Sequence, residues 1–267
     1  MQTYLAAAVQ LNSTSDLVAN LDQAAALISK AAACDAKLIA LPENFSFLGP
    51  DDEKLRRASE ITAHSELFLK EQARSHRIFL LGGGHPAPAS SGKTYNRSLL
   101  IGPDGEVKAQ YDKIHLFDVD LPNQSLRESD TVEPGHKLVH IHDDTLGCVV
   151  LSICYDIRFP ELYRLLSARG ADVILVPAAF TAYTGKDHWE VLLRARAIEN
   201  TCYVIAPAQC GHHFGKRESY GHALIVDPWG HVLADAGSEP GIALAEVSPK
   251  RIGDVRMTLP SVRHRKF

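Results

Sequence analysis

The sequence predicts an α/β protein in which two β-sheets pack face to face between outer helices, an α-β-β-α sandwich. In the N-terminal part, short apolar runs alternate with helical segments, which is typical of crossover connections between parallel strands. Pro- and Gly-containing turns at residues 102–105 and 227–230 indicate two β-hairpins. The chain of 267 residues has no obvious linker, repeat or low-complexity segment. We therefore expect a single domain spanning residues 1–267.

The first half of the chain predicts alternating strands and helices. Residues 3–9 are expected to form a buried strand, and Ser13 or Ser15 to cap the helix that follows. The further predicted elements are a helix at 17–33, a strand at 37–41 ended by Pro42, a helix at 51–76, a strand at 78–81 ended by three glycines, and hairpin strands at 95–101 and 106–111. Residues 115–135 show no period and predict a long loop, which in a compact domain is usually functional.

The second half predicts a similar alternation. An apolar strand at 146–153 leads directly to Cys154. The elements expected after it are a helix at 161–168, a strand at 172–176, a helix at 188–200, a strand at 203–206, hairpin strands at 223–226 and 231–234, and a last strand at 242–247.

Composition narrows the function. Hydrophobic residues make up 45% of the chain and the formal net charge is −4, so a nucleic-acid partner is not expected; the basic residues 263–266 predict a solvated tail. The start lacks the pattern of a secretory signal, and no apolar run reaches the ~18 residues of a membrane span. Five cysteines without a C-x-x-C pair predict reduced thiols in a cytoplasmic protein that binds no metal or other cofactor.

Cys154 is the first candidate for chemistry. It ends an apolar strand and precedes a helix, where backbone N–H groups are expected to lower a thiol pKa. A small buried hydrophobic residue is an equally good interpretation of its position. The other four cysteines, which are Cys34, Cys148, Cys202 and Cys210, are interpreted as structural.

A thiolate that attacks a carbonyl needs a base, an oxyanion partner and an acid. No histidine has a decisive context, and His142, His212 and His213 are expected at the surface. Three other candidates follow predicted strands or lie in the long loop, namely Glu43, Lys113 and Glu128. The residues alone leave the pairing among them and Cys154 open.

Three segments make the sequence more specific. Residues 41–44 (LPEN), 111–116 (YDKIHL) and 154–161 (CYDIRFPE) resemble the three signature blocks of the nitrilase superfamily, in the order of its Glu, Lys and Cys. Residues 4–10 resemble the first strand of that family and residues 221–230 its late hairpin. The likeness therefore covers nearly the whole chain and implies a four-layer sandwich of the nitrilase type.

The resemblance also implies roles. Cys154 would be the nucleophile, and Glu43 the general base and then the acid for the leaving amine. Lys113 and the backbone N–H of Tyr155 would stabilise the oxyanion. Glu128 would orient Lys113 and the substrate.

Residues 115–122 and 184–190 look like the branch that contains deaminated glutathione amidase and omega-amidase. The features that favour the first are residues 189–199, residues 208–213 with 216–222, and Pro160. Lys186-Asp187 departs from both, since these relatives tend to have Pro-Ala there.

This branch implies an α-keto acid amide as substrate. Arg158 is the predicted partner of its carboxylate, and Thr184 is expected to support the same end. The other residues expected in the substrate pocket are Asn44, Phe180, His188 and Trp189. Residues 118–128 and 212–219 are expected to shape the channel for the leaving amine.

The resemblance further implies a homodimer built through the helix after Cys154 and the C-terminal segment. Omega-amidase activity and an inactive scaffold member of the superfamily remain as alternatives. A zinc hydrolase and a serine hydrolase are disfavoured, because the sequence contains neither H-E-x-x-H nor G-x-S-x-G.

Overall fold

Two sheets form the centre of the molecule, and helices cover their outer faces. The computed structural model describes residues 1–121 and 124–266. Its strands are β1 Tyr4–Leu11, β2 Ala36–Ala40, β3 Phe79–Pro88, β4 Thr94–Ile101, β5 Val107–Asp112, β6 Asp118–Leu121, β7 Gln124–Arg127, β8 His140–Asp143, β9 Gly147–Leu151, β10 Val173–Leu175, β11 Tyr203–Ala206, β12 Ala208–Phe214, β13 Arg217–Tyr220, β14 Leu224–Val226, β15 Val232–Asp235 and β16 Gly241–Val247. Its α-helices are α1 Leu17–Ala33, α2 Asp51–Arg56, α3 Ala58–His76, α4 Pro160–Ser167, α5 Ala182–Asn200 and α6 Pro249–Thr258. Short 3-10 helices follow β7 (Glu128–Asp130), β9 (Cys154–Arg158) and α6 (Ser261–His264).

Each sheet has a parallel centre flanked by antiparallel strands. The first has the order β13-β12-β1-β2-β3-β4-β5, and β16 also pairs with β1. The second has the order β15-β14-β11-β10-β9-β8, and β6 pairs only with β7 in a separate hairpin. The carboxyl ends of β2 and β9 carry Glu43 and Cys154 into the same region of the molecule, where α/β folds commonly place their sites.

The two faces of the first sheet bury alternate residues of the same strand. On β1, Ala6 and Ala8 pack into the core between the two sheets, where they meet residues such as Val149. Ala7 and Val9 point to the other face, against the helix residue Ile28. Because successive strand side chains point to opposite faces, a strand buried on both sides has an unbroken apolar sequence. The predicted α-β-β-α sandwich is thus confirmed.

Several local expectations were wrong. Neither Ser13 nor Ser15 caps α1: Asp16 Oδ1 accepts the Ala19 N–H at 3.0 Å. The predicted helix at 51–76 is interrupted at Arg57 and forms α2 and α3. Residues 115–135 are not a plain loop, since they contain the β6–β7 hairpin; Pro122 of the quoted 115–122 segment lies outside the described residues.

The three glycines do not end β3, as had been expected, but continue it through a register shift between Gly82 and His85. A Cβ at Gly83 would lie 2.1 Å from the Leu41 carbonyl oxygen, so only glycine allows this close approach. β3 therefore runs directly against the segment that leads into Glu43.

Periodicity had left other elements unassigned. These are β8, β12, β13, α6 and the first turns of α5, which begins six residues before the predicted start. Within the described residues, no helix is long and apolar enough to cross a membrane.

Candidate active site

Four predicted side chains meet at the base of one cavity of about 310 Å³. We call Glu43, Lys113, Glu128 and Cys154 the floor. Glu43 and Lys113 follow strands of the first sheet, Glu128 follows the β6–β7 hairpin, and Cys154 follows a strand of the second sheet. The site therefore forms only when the two sheets are packed together.

Lys113 joins the two carboxylates of the floor. Its Nζ donates to Glu43 Oε1 at 2.9 Å and to Glu128 Oε2 at 2.8 Å, and the side chain is only 2% exposed. Burial alone would lower the pKa of Lys113, but the charges of Glu128 and Glu43 outweigh it and hold that pKa above its ordinary value. The floor thus keeps a protonated ammonium inside the protein.

Glu43 is held on both sides. Its Oε2 accepts the Ala179 N–H at 2.8 Å, and its carbonyl accepts the Gln209 side-chain N–H at 3.0 Å. Burial opposes its ionisation, but the Lys113 ammonium outweighs burial and lowers the pKa of Glu43 below its ordinary value. Glu43 is therefore a carboxylate in the resting site.

The expected lowering of the Cys154 pKa was wrong. Burial, and then the negative charge of Glu43, raise the pKa of this thiol well above its ordinary value, and Lys113 offsets this only in part. The residue has a φ of 48°, in the left-handed region that strains a side chain with a Cβ. Cys154 therefore rests as a thiol and needs a base beside it.

A buried carboxylate connects the segment before Cys154 with the segment around Lys113. Asp156 is completely buried and accepts from Ile153 N at 2.8 Å, Tyr111 Oη at 2.7 Å and His115 N at 3.0 Å. Tyr111 and His115 flank Lys113 on the first sheet, whereas Ile153 precedes Cys154 on the second. Asp156 thus ties the turn at Cys154 to the segment that carries Lys113.

Asn96 is a site residue that the sequence did not reveal. Its Nδ2 donates to Glu43 Oε1 at 2.8 Å and to Glu128 Oε1 at 3.2 Å. Its backbone carbonyl accepts the Lys113 N–H at 3.0 Å. In the sequence it is one polar residue in a predicted hairpin strand, so nothing local distinguished it from a surface asparagine.

The predicted substrate residues divide into two groups. Asn44, Phe180 and Thr184 line the cavity, as does Tyr155, which was predicted as an oxyanion donor. The lining does not include Arg158, His188 or Trp189.

The position of these three residues has a physical reason. The Arg158 guanidinium stacks 5.0 Å from the centre of the Phe180 ring, and its Nη1 lies 3.3 Å from His188 Nδ1. Trp189 lies in the core, where its Nε1 donates to the His222 carbonyl at 2.8 Å. Arg158 thus lies behind the wall that Phe180 forms.

Histidines and the remaining cysteines follow the expectations in part. His142 and His212 are exposed, but His213 is buried, contrary to the prediction. Its ring contacts the Ser13 carbonyl and the Ser219 hydroxyl at 2.7 and 2.9 Å, and burial lowers its pKa to about 4, so it is neutral. Three of the remaining cysteines are buried, whereas Cys34 is exposed at the end of α1.

The upper wall of the cavity carries charged side chains that had not been predicted. Lys54, Arg127 and Arg217 line it, together with Asp51. We call these four residues and Asp120, the partner of Arg127, the mouth. Ser125, Leu126 and Phe214 also reach the wall, so both segments that were expected to shape a channel contribute to it.

Comparison with known proteins identifies the family of the chain. A model of the carbon–nitrogen hydrolase family matches residues 5–257. A Synechocystis sp. protein named deaminated glutathione amidase is 54% identical over 100% of both chains. The Homo sapiens protein of that name is 41% identical over 98% of this chain and 82% of its own.

Solved structures give the same result. The Caenorhabditis elegans NitFhit protein has a TM-score of 0.94 and 39% identity, covering 100% of this chain and 66% of that one. Saccharomyces cerevisiae Nit3, described as a member of branch 10 of the nitrilase superfamily, has a TM-score of 0.89 and 35% identity over 100% of this chain and 97% of its own. The chain therefore belongs to the carbon–nitrogen hydrolase family of the nitrilase superfamily, and it is a hydrolase of carbon–nitrogen bonds other than peptide bonds.

Proposed function

We propose that this protein hydrolyses the amide bond of deaminated glutathione, releasing 2-oxoglutarate and cysteinylglycine through a thioester on Cys154. The observation that carries the chemistry is the contact of the Lys113 ammonium with both Glu43 and Glu128 in the cavity that Cys154 also lines. The names of the relatives from Synechocystis sp. and Homo sapiens support the substrate.

The first step forms the thioester. Glu43 takes the proton of the Cys154 thiol as Sγ bonds to the amide carbon, and the carbonyl electron pair moves to oxygen. The raised pKa of the thiol favours a transfer that accompanies attack over a standing thiolate. The Lys113 ammonium and the Tyr155 N–H stabilise the oxyanion, and Glu128 keeps Lys113 in place.

The second half of the cycle restores the enzyme. The carbon–nitrogen bond breaks as Glu43 returns its proton to the leaving nitrogen, which frees cysteinylglycine. Water then attacks the thioester while Glu43 removes a proton from it. The carbon–sulfur bond breaks, 2-oxoglutarate leaves, and the proton on Glu43 returns to Sγ. A single carboxylate thus acts as base and acid in turn.

Release of 2-oxoglutarate tests the proposal directly. The wild type is incubated separately with deaminated glutathione and with 2-oxoglutaramate, beside Cys154→Ala and the matched control Cys34→Ala, which alters an exposed thiol far from the cavity. We expect faster turnover of deaminated glutathione, no turnover by Cys154→Ala, and full activity of Cys34→Ala. Preference for 2-oxoglutaramate would make the protein an omega-amidase. No release from either amide would reject the proposed function and favour a scaffold role.

A homodimer is part of the proposal. Leu165 on α4 is 56% exposed, and Arg265 Nη1 donates to the Arg164 carbonyl at 3.2 Å, so the C-terminal segment lies beside α4. Leu165 is thus an exposed apolar side chain on the helix through which the resemblance implies that the dimer forms. Leu165→Glu is expected to give monomers in light scattering, whereas Leu67→Glu, at 57% exposure on α3, should leave the dimer intact. A monomeric wild type would reject this point.

We also propose that residues 1–267 act as one domain in the cytoplasm. The core between the sheets joins residues from β1 to α6, which supports one folding unit. The five free cysteines, among them the nucleophile, favour a reducing compartment.

A further inference from the structure

Most charged side chains around the cavity already have an oppositely charged partner. Lys113 is shared by Glu43 and Glu128 on the floor. At the mouth, Lys54 pairs with Asp51 at 2.9 Å. Arg127 Nη2 contacts both oxygens of Asp120, at 2.7 and 2.8 Å.

Arg217 is different. It begins β13 and lines the cavity, and its Nη2 donates to the Ala179 carbonyl at 2.9 Å. Within residues 1–121 and 124–266, its guanidinium has no carboxylate partner within 4.0 Å. A guanidinium offers five N–H donors, so one neutral hydrogen bond leaves most of them available for a ligand.

Ala179 links Arg217 to Glu43, the proposed base. Ala179 donates its N–H to Glu43 Oε2 at 2.8 Å and accepts Arg217 Nη2 through its carbonyl. A group bound to Arg217 therefore lies on the side of the cavity where Ala179 contacts Glu43, the proposed base. Binding at such a position aligns a substrate with its catalytic groups.

The charges of the floor explain why an anionic substrate needs a further cation such as Arg217. The floor holds two carboxylates and one ammonium, so it repels an anionic substrate. We propose that Arg217 binds a carboxylate of the substrate, and this inference rests on the proposed function. The carboxylate belongs either to the keto acid end or to the terminal glycine of deaminated glutathione. Arginine suits both, because its planar fork binds a carboxylate through two parallel hydrogen bonds.

The test compares anionic with neutral amides. kcat and KM are measured for deaminated glutathione, 2-oxoglutaramate and the uncharged butyramide, with Arg217→Gln and Arg217→Lys. For Arg217→Gln, the ratio of kcat/KM on an anionic amide to that on butyramide is expected to fall about 10- to 100-fold, mainly through KM. Arg217→Lys should fall less, because it keeps the charge but loses the fork.

Two neighbouring cations serve as comparators. Lys216 is exposed on the same hairpin but does not line the cavity. For Lys216→Gln, the ratio of kcat/KM on an anionic amide to that on butyramide should therefore match the wild type. Lys54→Gln removes a cation that already has Asp51 as a partner, so its ratio should fall less than that of Arg217→Gln.

The pattern of loss identifies the carboxylate. If Arg217→Gln lowers the kcat/KM ratio for both anionic amides, Arg217 binds the carboxylate of the keto acid end. If it lowers the ratio for deaminated glutathione alone, Arg217 binds the carboxylate of the terminal glycine. Equal losses on butyramide and the anionic amides would overturn the proposal and leave Arg217 only a support for Ala179 and Glu43. An unchanged ratio would overturn it as well.

Binding separates this inference from the proposed function. If the wild type hydrolyses neither keto acid amide, calorimetry with deaminated glutathione, which carries both carboxylates, compares Cys154→Ala with Cys154→Ala/Arg217→Gln. Weaker binding by the double variant supports the carboxylate role even when the proposed function fails. Equal binding by both, or no binding to Cys154→Ala, overturns the role.

Discussion

The floor and the mouth of the cavity hold their charges in different ways. On the floor, the Lys113 ammonium is almost completely buried and contacts two carboxylates, while Asn96 bridges the same two. At the mouth, Arg127 is 41% exposed and its partner Asp120 is 73% exposed. A buried charge must keep its partners, whereas an exposed pair is solvated and contributes little. The floor is therefore built for fixed chemistry and the mouth for exchange with a substrate.

Removing the cation of the floor should have the largest effect. Lys113→Met would leave Glu43 and Glu128 facing each other without an ammonium, at a cost of about 3–5 kcal/mol of unfolding free energy. Loss of the oxyanion partner should lower kcat by about 1000-fold. Urea unfolding and steady-state rates measure the two effects. Lys108→Met, an exposed lysine on β5, is the control, and equal stability of both variants would contradict the comparison.

Glu43→Gln should remove most of the rate but not the fold. Lys113 keeps Glu128 as partner, and kcat should fall about 100- to 1000-fold without the base. Because the Glu43 charge raises the pKa of Cys154, this variant should show a lower thiol pKa than the wild type by ultraviolet absorbance. Subtraction of Cys154→Ala isolates the signal, and a higher pKa in Glu43→Gln would refute this account of the floor.

The wild-type pH profile follows from the same charges. The depressed pKa of Glu43 keeps the base ionised until the pH falls below the ordinary glutamate value of about 4.3. The contribution of its ion pair to stability is present above that value and is lost as pH falls through the folded-state pKa. We therefore expect kcat/KM to fall with acid only below the ordinary glutamate pKa. A fall in kcat/KM that begins near neutral pH would contradict the depressed pKa of Glu43.

Asn96→Ala should have an intermediate effect. It removes the donor that bridges both carboxylates, so we expect kcat/KM to fall about tenfold. Loss of a hydrogen bond to the ionised form raises a carboxyl pKa, so the acid limb should move to higher pH. Ser98→Ala, in the same strand but bonded to the Gly82 carbonyl, controls for packing. A fall in activity with an unmoved limb would limit Asn96 to a structural role.

The smallest effect is expected at the mouth. Asp120→Asn removes the partner of Arg127, yet both side chains are exposed, so the unfolding free energy should hardly change. Urea unfolding at low and high salt measures it. A loss comparable with that of Lys113→Met would erase the distinction between the two regions.

The sequence predicted best what depends on neighbouring residues. Apolar runs located the central strands, and strand ends marked Glu43, Lys113 and Cys154 as candidates. The fold class followed from the same alternation, and the resemblance supplied the pairing that spacing could not. These features are local, so they are present before any tertiary contact forms.

What the sequence did not predict depends on distant contacts. The pKa of Cys154 was expected to be low from its position before a helix, but Glu43, from the other sheet, sets it together with burial. Asn96 and Arg217 gain their significance from Glu43 and Ala179, which lie far away in the chain. His213 looked exposed because glycine precedes the pair of histidines, yet Ser13 and Ser219 enclose it.

The raised pKa of Cys154 has a consequence outside the reaction. Peroxides react with thiolates and hardly with thiols, so we expect this cysteine to be a poor target for them. Many enzymes that depend on a preformed thiolate are inactivated by oxidants. In the proposed mechanism the sulfur becomes reactive only as Glu43 removes its proton, so we expect the same arrangement to slow oxidative inactivation.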